Sequence, residues 1–352
     1  MGQFKRMLQI RLLGLARALT PVFRFGSQTF VFRDADVREI ILRDQDFTIE
    51  EVNFEHIARH IGPFILGLDD GEQYQHDVKL LRAAVDRTDG ERIRSFVREQ
   101  AARVLDAVSG PFDLVDAYTR EIPYLLVGEY FGVPGPDRAA FLRWNRSIFW
   151  DVFLDLKNEP EIRQNAINSS KEMMPYLMDL ITERKADIAA GNAGDNMVKR
   201  LMQQQGTVKD AFDDRSIAGN ISGVYMGALE PLNKSCCNVL GQIYARPEVL
   251  ALAQKAARED DVELMARIAW EALRFHPNAP ALMRYSANEQ EIGGQGRKKR
   301  RIRAEQTLFV MSQSAMFDSR AVEDPYAFRT DRSLDTYLYF GYGRHTCFGN
   351  YV

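Results

Sequence analysis

The stretch "YFGYGRHTCFGNYV", residues 339–352, surrounds one cysteine, Cys347, with glycines, aromatic residues and a histidine. The glycines allow the backbone to bend and to approach the sulfur closely. They are Gly341, Gly343 and Gly349. Amides directed at the sulfur would stabilise a thiolate, which suits ligation of iron, and His345 beside it could bind an anion. The stretch therefore predicts an iron-ligating cysteine loop, although a lone cysteine is more often a small buried hydrophobe.

Composition indicates a soluble globular protein. The 352 residues are 45% hydrophobic, which is enough for a sizeable core. The 46 basic and 49 acidic residues are well mixed and give a net charge of −3, so nucleic acid is not an expected partner. The other two cysteines, Cys236 and Cys237, are adjacent, and three cysteines neither form a disulfide framework nor have the spacing of a zinc site. We expect a reducing compartment, the cytoplasm.

The N-terminal segment 1–20 has the pattern of an amphipathic helix. No run reaches the roughly 20 apolar residues that span a bilayer, and no signal-peptide pattern is present. Apolar residues recur at helical spacing, namely Phe4, Leu8, Leu12, Leu15 and Leu19. The only charges of the segment are Lys5, Arg6, Arg11 and Arg17. Such a helix packs on the body of the protein or rests on an anionic membrane surface, in which case the protein is peripheral at the membrane.

The rest of the chain predicts a mainly α fold with a small β part (α+β), in one domain over 1–352. Residues 21–60 hold a small sheet region, with a hairpin in "VFRFGSQTFVFR" and then a short helix. Residues 73–277 form a helical body. Residues 280–352 return to strands, a meander and the cysteine loop. Within them "EIGGQGRKKRRIRAEQTLFVMSQ" predicts a hairpin with a basic tip, which is solvated or docks an acidic partner or acidic lipid headgroups.

A glutamate lies on the apolar face of a predicted helix near the end of the helical body. Leu264, Ile268, Glu271 and Phe275 follow at i, i+4, i+7 and i+11, so Glu271 shares the buried side. A carboxylate there needs a partner, and Arg274 three residues on can reach it. Taken alone, an E-x-x-R on a helix is usually a surface ion pair.

Glycines also line one face of a long predicted helix. Gly219, Gly223 and Gly227 repeat every four residues. Because glycine costs a helix roughly 1 kcal/mol relative to alanine, the row suggests that another helix or a flat cofactor approaches the backbone. Pro231 continues the row and has no N–H, so the Gly227 carbonyl should lose its helical partner and the helix should kink.

These three features, in this order, resemble the cytochrome P450 family of heme-thiolate enzymes. "FGYGRHTCFG" matches the family pattern F-x-x-G-x-(H/R)-x-C-x-G at every fixed position, and "EALR" supplies the upstream E-x-x-R. The order of N-terminal sheet, helical middle and late strands is also similar. The resemblance implies a cytochrome P450-like fold and a heme b (iron protoporphyrin IX) cofactor whose axial iron ligand is Cys347.

Further roles follow from the resemblance alone. Phe340 is similar to the aromatic residue packed near the thiolate. Gly349 matches a fixed glycine of the family pattern, and Gly341, through which the backbone can bend around the sulfur, is expected at the cofactor with it. His345 and Arg284 fall on heme-propionate positions. Three residues resemble the triad that holds the heme-binding core together, namely Glu271, Arg274 and Arg332. In "DDGEQYQHDVKLLRAAV" Tyr74 or His76 would serve the propionates from the other side, while Arg82 is out of the usual register.

The glycine-lined segment resembles the long helix that crosses the distal face of the heme. The heme or its substrate would then be the neighbour that the glycines admit. "GALEPL" keeps the usual acid as Glu230 but has Pro231 where the family usually has a threonine. Either the Gly227 carbonyl, Glu230 and a substrate hydroxyl organise the proton path, or the enzyme starts from peroxide or a lipid hydroperoxide.

We therefore expect a monooxygenase that oxidises a hydrophobic, lipid-like small molecule. Electrons would come from a separate ferredoxin or flavoprotein reductase, because the sequence has no visible flavin or nicotinamide site. Pro231 motivates an alternative, a peroxide-dependent peroxygenase or hydroperoxide isomerase. The chain ends five residues after Cys347, where the family continues into a further helix and hairpin. This C-terminally short fold motivates a third hypothesis, a degenerate heme-binding scaffold without turnover.

Overall fold

A computed structural model describes residues 2–192, 194–294 and 296–351. Positions 1, 193, 295 and 352 of the predicted ranges lie outside them, as does the side chain of Phe4. The described chain forms two compact units. Unit one comprises the residues up to Val52 and those from Lys234 to Cys347, and unit two comprises those from Asn53 to Asn233 and from Phe348 onward.

Helices form most of the described chain, as the sequence predicts. In chain order they are α1 (Gly2–Leu19), α2 (Asp34–Leu42), α3 (Glu50–Ile61), α4 (Glu72–Ala83), α5 (Asp89–Asp106), α6 (Glu121–Leu126), α7 (Arg138–Phe153), α8 (Pro160–Ala189), α9 (Met197–Gln204), α10 (Asp214–Tyr244), α11 (Pro247–Glu259), α12 (Val262–Phe275) and α13 (Ser312–Ala315). Two π-helical turns, Val115–Thr119 and Val127–Phe131, flank α6. None of the helices in the described ranges is long and apolar enough to cross a membrane.

The strands belong to unit one. They are β1 (Val22–Phe25), β2 (Gln28–Val31), β3 (Leu282–Ser286), β4 (Gln290–Gly294), β5 (Arg297–Ile302) and β6 (Gln306–Val310). Four of them form a sheet in the order β1-β2-β6-β3, in which the β2–β6 pair is parallel and the other two pairs are antiparallel. Gly26 turns the predicted first hairpin with a φ of +59°, a conformation that glycine adopts without strain. The sheet therefore joins the N-terminal hairpin to strands from the end of the chain.

The sheet occupies less of residues 21–60 than predicted. Strand β2 ends at Val31, and α2 and α3 take up most of residues 32–60. Acidic residues in the first turns of both helices favour helix initiation through the helix dipole. The sequence analysis predicted α2 but not α3, whose inward side carries Ile57 and Ile61.

The basic cluster of the second hairpin lies on a strand and not at a tip. Residues from Arg297 to Arg301 lie in β5, which pairs with β4. Arg297 Nη1 and Arg300 Nη1 donate to the buried carboxylate of Asp36 at 2.6 and 3.0 Å. Two of the arginines predicted to be solvated or to dock an acidic partner therefore bind a carboxylate within unit one.

Helix α1 packs on unit one, but not through its leucine row. Ile10 is fully buried, and Arg17 donates from Nη1 to Ser314 O and from Nη2 to Phe317 O, both at 2.6 Å. The predicted leucines are exposed instead. The helix is thus held by the face opposite to its regular apolar row.

Unit two has its own apolar core. Helices α7 and α8 pack side by side, with the rings of Trp144 and Tyr176 5.8 Å apart. The ring of Phe141 lies 5.1 Å from that of Tyr225 on α10, whose side chain is fully buried. Helix α10 therefore takes part in the centre of this core and presents its glycines from a fixed element.

Candidate functional site

The cysteine loop is shaped by two left-handed glycines. Gly341 has a φ of +80° and Gly343 a φ of +72°, in the region that side chains disfavour. The backbone N–H of Cys347 donates to the carbonyl of Phe340 at 2.7 Å and closes the loop. A Cβ on Gly343 would come within 3.0 Å of Leu42, so the backbone there runs close to α2. The loop holds the side chain of Cys347 exposed at the surface of unit one.

The other predicted residues of the stretch have different settings. His345 and Phe340 are half-buried, and the Phe340 ring centroid lies 6.0 Å from that of Trp270 on α12. Gly349 is exposed and belongs to a short 3₁₀ turn, Phe348–Tyr351, in unit two. Phe340 therefore anchors the loop to α12.

The three residues of the predicted triad contact one another. Arg274 donates from Nη2 to Glu271 Oε1 at 2.7 Å and from Nε to Glu271 Oε2 at 2.9 Å. Arg332 Nε donates to the same Oε1 at 3.2 Å. Arg274 also donates to the carbonyls of Met316 and Pro325, which fix the segment that precedes the cysteine loop. Burial lowers the pKa of Arg274, and the Glu271 carboxylate opposes that shift.

Two aromatic residues that the sequence analysis did not single out join the triad to the loop. Tyr337 donates its hydroxyl to Glu271 Oε2 at 3.2 Å, and its ring packs edge-on against Trp270 at 5.4 Å. Burial and the neighbouring carboxylate raise the pKa of Tyr337 well above its ordinary value. The aromatic run before Gly341 was the available signal, but only the fold shows that it contacts α12.

Arg284 lies on β3 opposite Leu308 of β6 and is only 5% exposed. Its Nη1 donates to the carbonyl of Met283 at 2.8 Å. Strand pairing on β6, together with the hydrogen-bonded bridge from Tyr285 to Thr48, fixes the backbone on both sides of this arginine. Unit one thus holds a buried cation on a rigid strand.

The glycine row of α10 has two kinds of neighbour. A Cβ on Gly219 would lie 2.2 Å from the carbonyl oxygen of Ile61, and one on Gly223 would lie 2.6 Å from the Phe64 ring. The prediction that a cofactor or substrate fills the row is wrong at these two positions, because the last residue of α3 and the Phe64 side chain that follows it fill them. A Cβ on Gly227 would meet no described atom within 4 Å, and this glycine is exposed. Open space at the row is thus confined to Gly227.

Glu230 and Pro231 follow Gly227 by about one turn. Both are half-buried, and α10 continues through Pro231 to Tyr244. Because proline has no N–H, it cannot donate to the Gly227 carbonyl within the helix. The predicted kink stays a prediction.

Tyr74 and His76, the two residues of α4 that were predicted to contact the heme propionates, differ in burial. Tyr74 is 7% exposed and packs in a small apolar cluster with Leu68 and Val78. His76 is more exposed, donates from Nε2 to the Asp210 carbonyl at 2.8 Å and places Nδ1 2.9 Å from Asp77 Oδ1. Burial raises the pKa of Asp77. His76 is thus held by neighbours in unit two.

The described residues fit a heme-thiolate group. The donor is a surface-presented cysteine sulfur, which is the ligand that such iron requires. Unit one adds a buried arginine and a half-buried histidine, suited to carboxylate side groups.

Comparison with known proteins gives consistent matches. The family model described as Cytochrome P450 matches residues 22–352. Erythromycin C-12 hydroxylase of Saccharopolyspora erythraea is 26% identical over 341 residues, which is 96% of this chain and 81% of that protein. Steroid C26-monooxygenase of Mycolicibacterium smegmatis is 24% identical, and the match spans 92% of this chain and 74% of that protein. For 6-deoxyerythronolide B hydroxylase of Saccharopolyspora erythraea, 26% identical, the match spans 74% of this chain but only 59% of the relative.

Solved structures agree on the fold. Ligand-free cytochrome P450 TbtJ1 superposes with a TM-score of 0.82 at 24% identity, over 98% of this chain and 85% of that one. P450BioI was solved with an acyl carrier protein ligated to hexadec-9Z-enoic acid. It superposes with a TM-score of 0.82 at 18% identity, over 98% of this chain and 87% of that one. The predicted α+β architecture is confirmed by these two superpositions.

Proposed function

This chain belongs to the cytochrome P450 family, and from that premise we propose that it is a heme-thiolate monooxygenase acting on a hydrophobic, lipid-like small molecule. The observation that carries the proposal is the Cys347 loop. Two left-handed glycines and the hydrogen bond from Cys347 N–H to Phe340 O present the sulfur at the surface of unit one.

Heme b (iron protoporphyrin IX), when bound through a thiolate, supplies iron with an electron-rich axial ligand that favours O–O cleavage. In this chain Cys347 would ligate the iron. Phe340 and Trp270 would keep the loop against α12, and the buried triad would keep that helix in place. The propionates would be held by His345 and Arg284, with Tyr74 or His76 as the contact from α4.

The proton path would depend on α10. Gly227 and Glu230 are three residues apart and therefore share a face of the helix. Pro231 leaves the Gly227 carbonyl without its helical donor, so that carbonyl can accept a hydrogen bond from a substrate hydroxyl. Glu230 would then relay a proton toward the same place.

Electrons would come from a separate ferredoxin or flavoprotein reductase. The names of the relatives and structural neighbours give erythromycin, a steroid and a carrier-bound fatty acid as molecules that those proteins act on or bind. These molecules support a largely apolar substrate, and they include one that is lipid-like.

A second candidate is a peroxide-dependent peroxygenase or hydroperoxide isomerase. Pro231 favours it, because a helix without the usual alcohol at this position is less suited to delivering protons to bound oxygen. Such an enzyme would start from a peroxide and would need no electron donor.

Two measurements test these proposals. In the reduced carbon monoxide complex, the thiolate-type red-shifted Soret band should be present in the wild type, lost in Cys347→Ser and retained in the control Cys236→Ser. Absence of that band from the wild type would exclude both functions. Turnover is then measured under two conditions, one with a reductase and oxygen and the other with hydrogen peroxide alone. Activity only with peroxide would overturn the monooxygenase in favour of the peroxygenase, and band without turnover would indicate a heme-binding scaffold.

Pro231→Thr tests the distal argument separately. Restoring the alcohol should change the fraction of electrons that appear in product. Unchanged coupling in this variant would remove Pro231 from the proton path.

A further inference from the structure

The outer face of α1 is a row of exposed leucines. Leu8, Leu12, Leu15 and Leu19 follow at i, i+4, i+7 and i+11, the spacing of one helix face. Their exposed fractions are 49%, 56%, 56% and 71%. Four large apolar side chains in one uninterrupted row differ from the scattered exposed leucines that any protein surface carries.

The inner face of α1 already accounts for its attachment to unit one. Ile10 and Arg17, on the opposite side of the helix, are buried, and Arg17 donates to two carbonyls of the segment around α13. A Cβ on Gly14 would lie 2.9 Å from the hydroxyl of Tyr326, so the helix backbone lies close to that ring. The leucine row is therefore not required to hold the helix in place.

Strand β1, which follows α1 in the chain, also carries exposed apolar side chains. Phe23 and Phe25 are two residues apart and therefore lie on the same face of the strand, and their side chains are 46% and 71% exposed. Strand β1 is an edge of the sheet and, among the described strands, pairs only with β2. We call the leucine row and these two phenylalanines together the outer face.

The charges of the segment that carries the outer face have one sign. Residues 1–33 contain six cations and no acid, and the cations are Lys5, Arg6, Arg11, Arg17, Arg24 and Arg33. Three of them are exposed, namely Lys5, Arg11 and Arg24. Lys5 and Arg11 flank the leucine row on opposite sides of the helix, and the Arg11 guanidinium lies 3.7 Å above the Tyr326 ring. An apolar strip edged by cations is complementary to a bilayer interface with anionic headgroups.

We propose that the outer face docks unit one on the surface of an anionic phospholipid bilayer. The leucines and phenylalanines enter the boundary between headgroups and acyl chains, and the exposed cations contact the phosphate groups. The helix lies in the plane of the interface, because its opposite side is bound to the protein. The enzyme would thereby sit where a lipid-like substrate is concentrated, but the docking does not depend on the proposed reaction.

Vesicle flotation of the full-length, heme-loaded protein tests the proposal. The wild type should float with vesicles of phosphatidylcholine and phosphatidylglycerol in equal parts, and much less with phosphatidylcholine alone. Binding should fall as salt is raised, because the headgroup attraction is screened. Leu12→Ser combined with Leu15→Ser should weaken binding at least about tenfold, since each leucine loses its apolar burial in the bilayer.

Leu334→Ser is the matched control, because Leu334 is 54% exposed in unit one but lies outside the outer face. It should float like the wild type. Lys5→Gln combined with Arg24→Gln provides a second variant that leaves all leucines intact, and it should lose the preference for phosphatidylglycerol. Melting temperatures confirm that each variant is folded.

Three results would overturn the proposal. They are failure of the wild type to float, flotation of the leucine variant at wild-type level, and a wild-type dimer without vesicle binding that dissociates in the leucine variant. The last result would assign the outer face to a second copy of this chain.

Discussion

Glu271 and Arg274 form a bidentate ion pair in which neither side chain is exposed to solvent. A buried charge that loses its partner is strongly unfavourable, so Glu271→Gln should lower the free energy of unfolding by roughly 3–5 kcal/mol. Denaturant titration of both proteins measures this difference. The control on the same helix is Glu263→Gln, which removes the exposed partner of Arg267 and should cost less than about 1 kcal/mol. Equal losses in the two variants would contradict the structural role of the triad.

The glycine row of α10 predicts position-dependent effects of one substitution. Gly219→Ala and Gly223→Ala should each destabilise the protein by about 1–3 kcal/mol, because the new methyl group meets Ile61 O or the Phe64 ring. Gly227→Ala should retain or raise stability by up to about 1 kcal/mol through helix propensity, since its neighbourhood is open. Thermal and denaturant unfolding distinguish the three variants. A Gly227→Ala variant as unstable as Gly219→Ala would show that the space is already filled.

The lowered pKa of His276 leads us to expect a loss of stability in mild acid. Burial, and then the nearby charges of Arg6 and Lys234, lower its pKa to about 4, and Arg6 also donates to its Nδ1. An unfolded histidine takes up a proton near pH 6.5, so between pH 6.5 and 4 the unfolded chain binds more protons than the folded one. Stability from this group is therefore present above pH 6.5 and is lost as pH falls toward 4.

The expected measurement is the free energy of unfolding across that range in the wild type and in His276→Gln. The variant should show a shallower decline, because its side chain does not titrate. His60 in unit two has a pKa lowered chiefly by burial as well, so His60→Gln is the comparison that should leave the contribution of His276 intact. Parallel pH profiles for the wild type and His276→Gln would rule out this assignment.

The contacts of Asp36 indicate which arginines of β5 contribute to the stability of the protein. Its carboxylate is 1% exposed and accepts from Arg297 and Arg300, although burial still raises its pKa. Asp36→Asn should cost roughly 1–3 kcal/mol of stability, the range for a hydrogen bond to a charged group. Glu289→Gln removes the exposed partner of Arg301 on the same strand and should cost less than about 1 kcal/mol. Chemical denaturation compares the pair, and a larger effect at Glu289 would contradict the structure.

Much of the site was predictable because it depends on local spacing. The glycines around Cys347 indicate a bent loop from residue type alone, and the structure gives Gly341 and Gly343 positive φ angles. The position of Glu271 on an apolar helix face likewise predicts burial, because side chains three and four residues apart share a face. The partner Arg274 follows from the same periodicity.

Other parts of the site depend on contacts between distant segments. Tyr337 binds Glu271 across 66 positions of sequence, and no local pattern indicates which aromatic residue reaches that carboxylate. The basic run of β5 was predicted as a tip because its charges suggested solvent. Asp36, far away in sequence, supplies the buried partner that places those residues on a strand beside α2.

The sequence by itself determined the bent loop around Cys347, the ion-paired helix and the cytochrome P450 resemblance, because each depends on residue identity at short, regular spacing. Only the tertiary structure decided that Ile61 and Phe64 occupy the first two glycines while Gly227 stays open, and that the leucines of α1 point outward. An apolar row has the same pattern whether it faces a core or the outside of the protein. The choice is made by the opposite face, where the buried hydrogen bonds of Arg17 hold α1 against unit one.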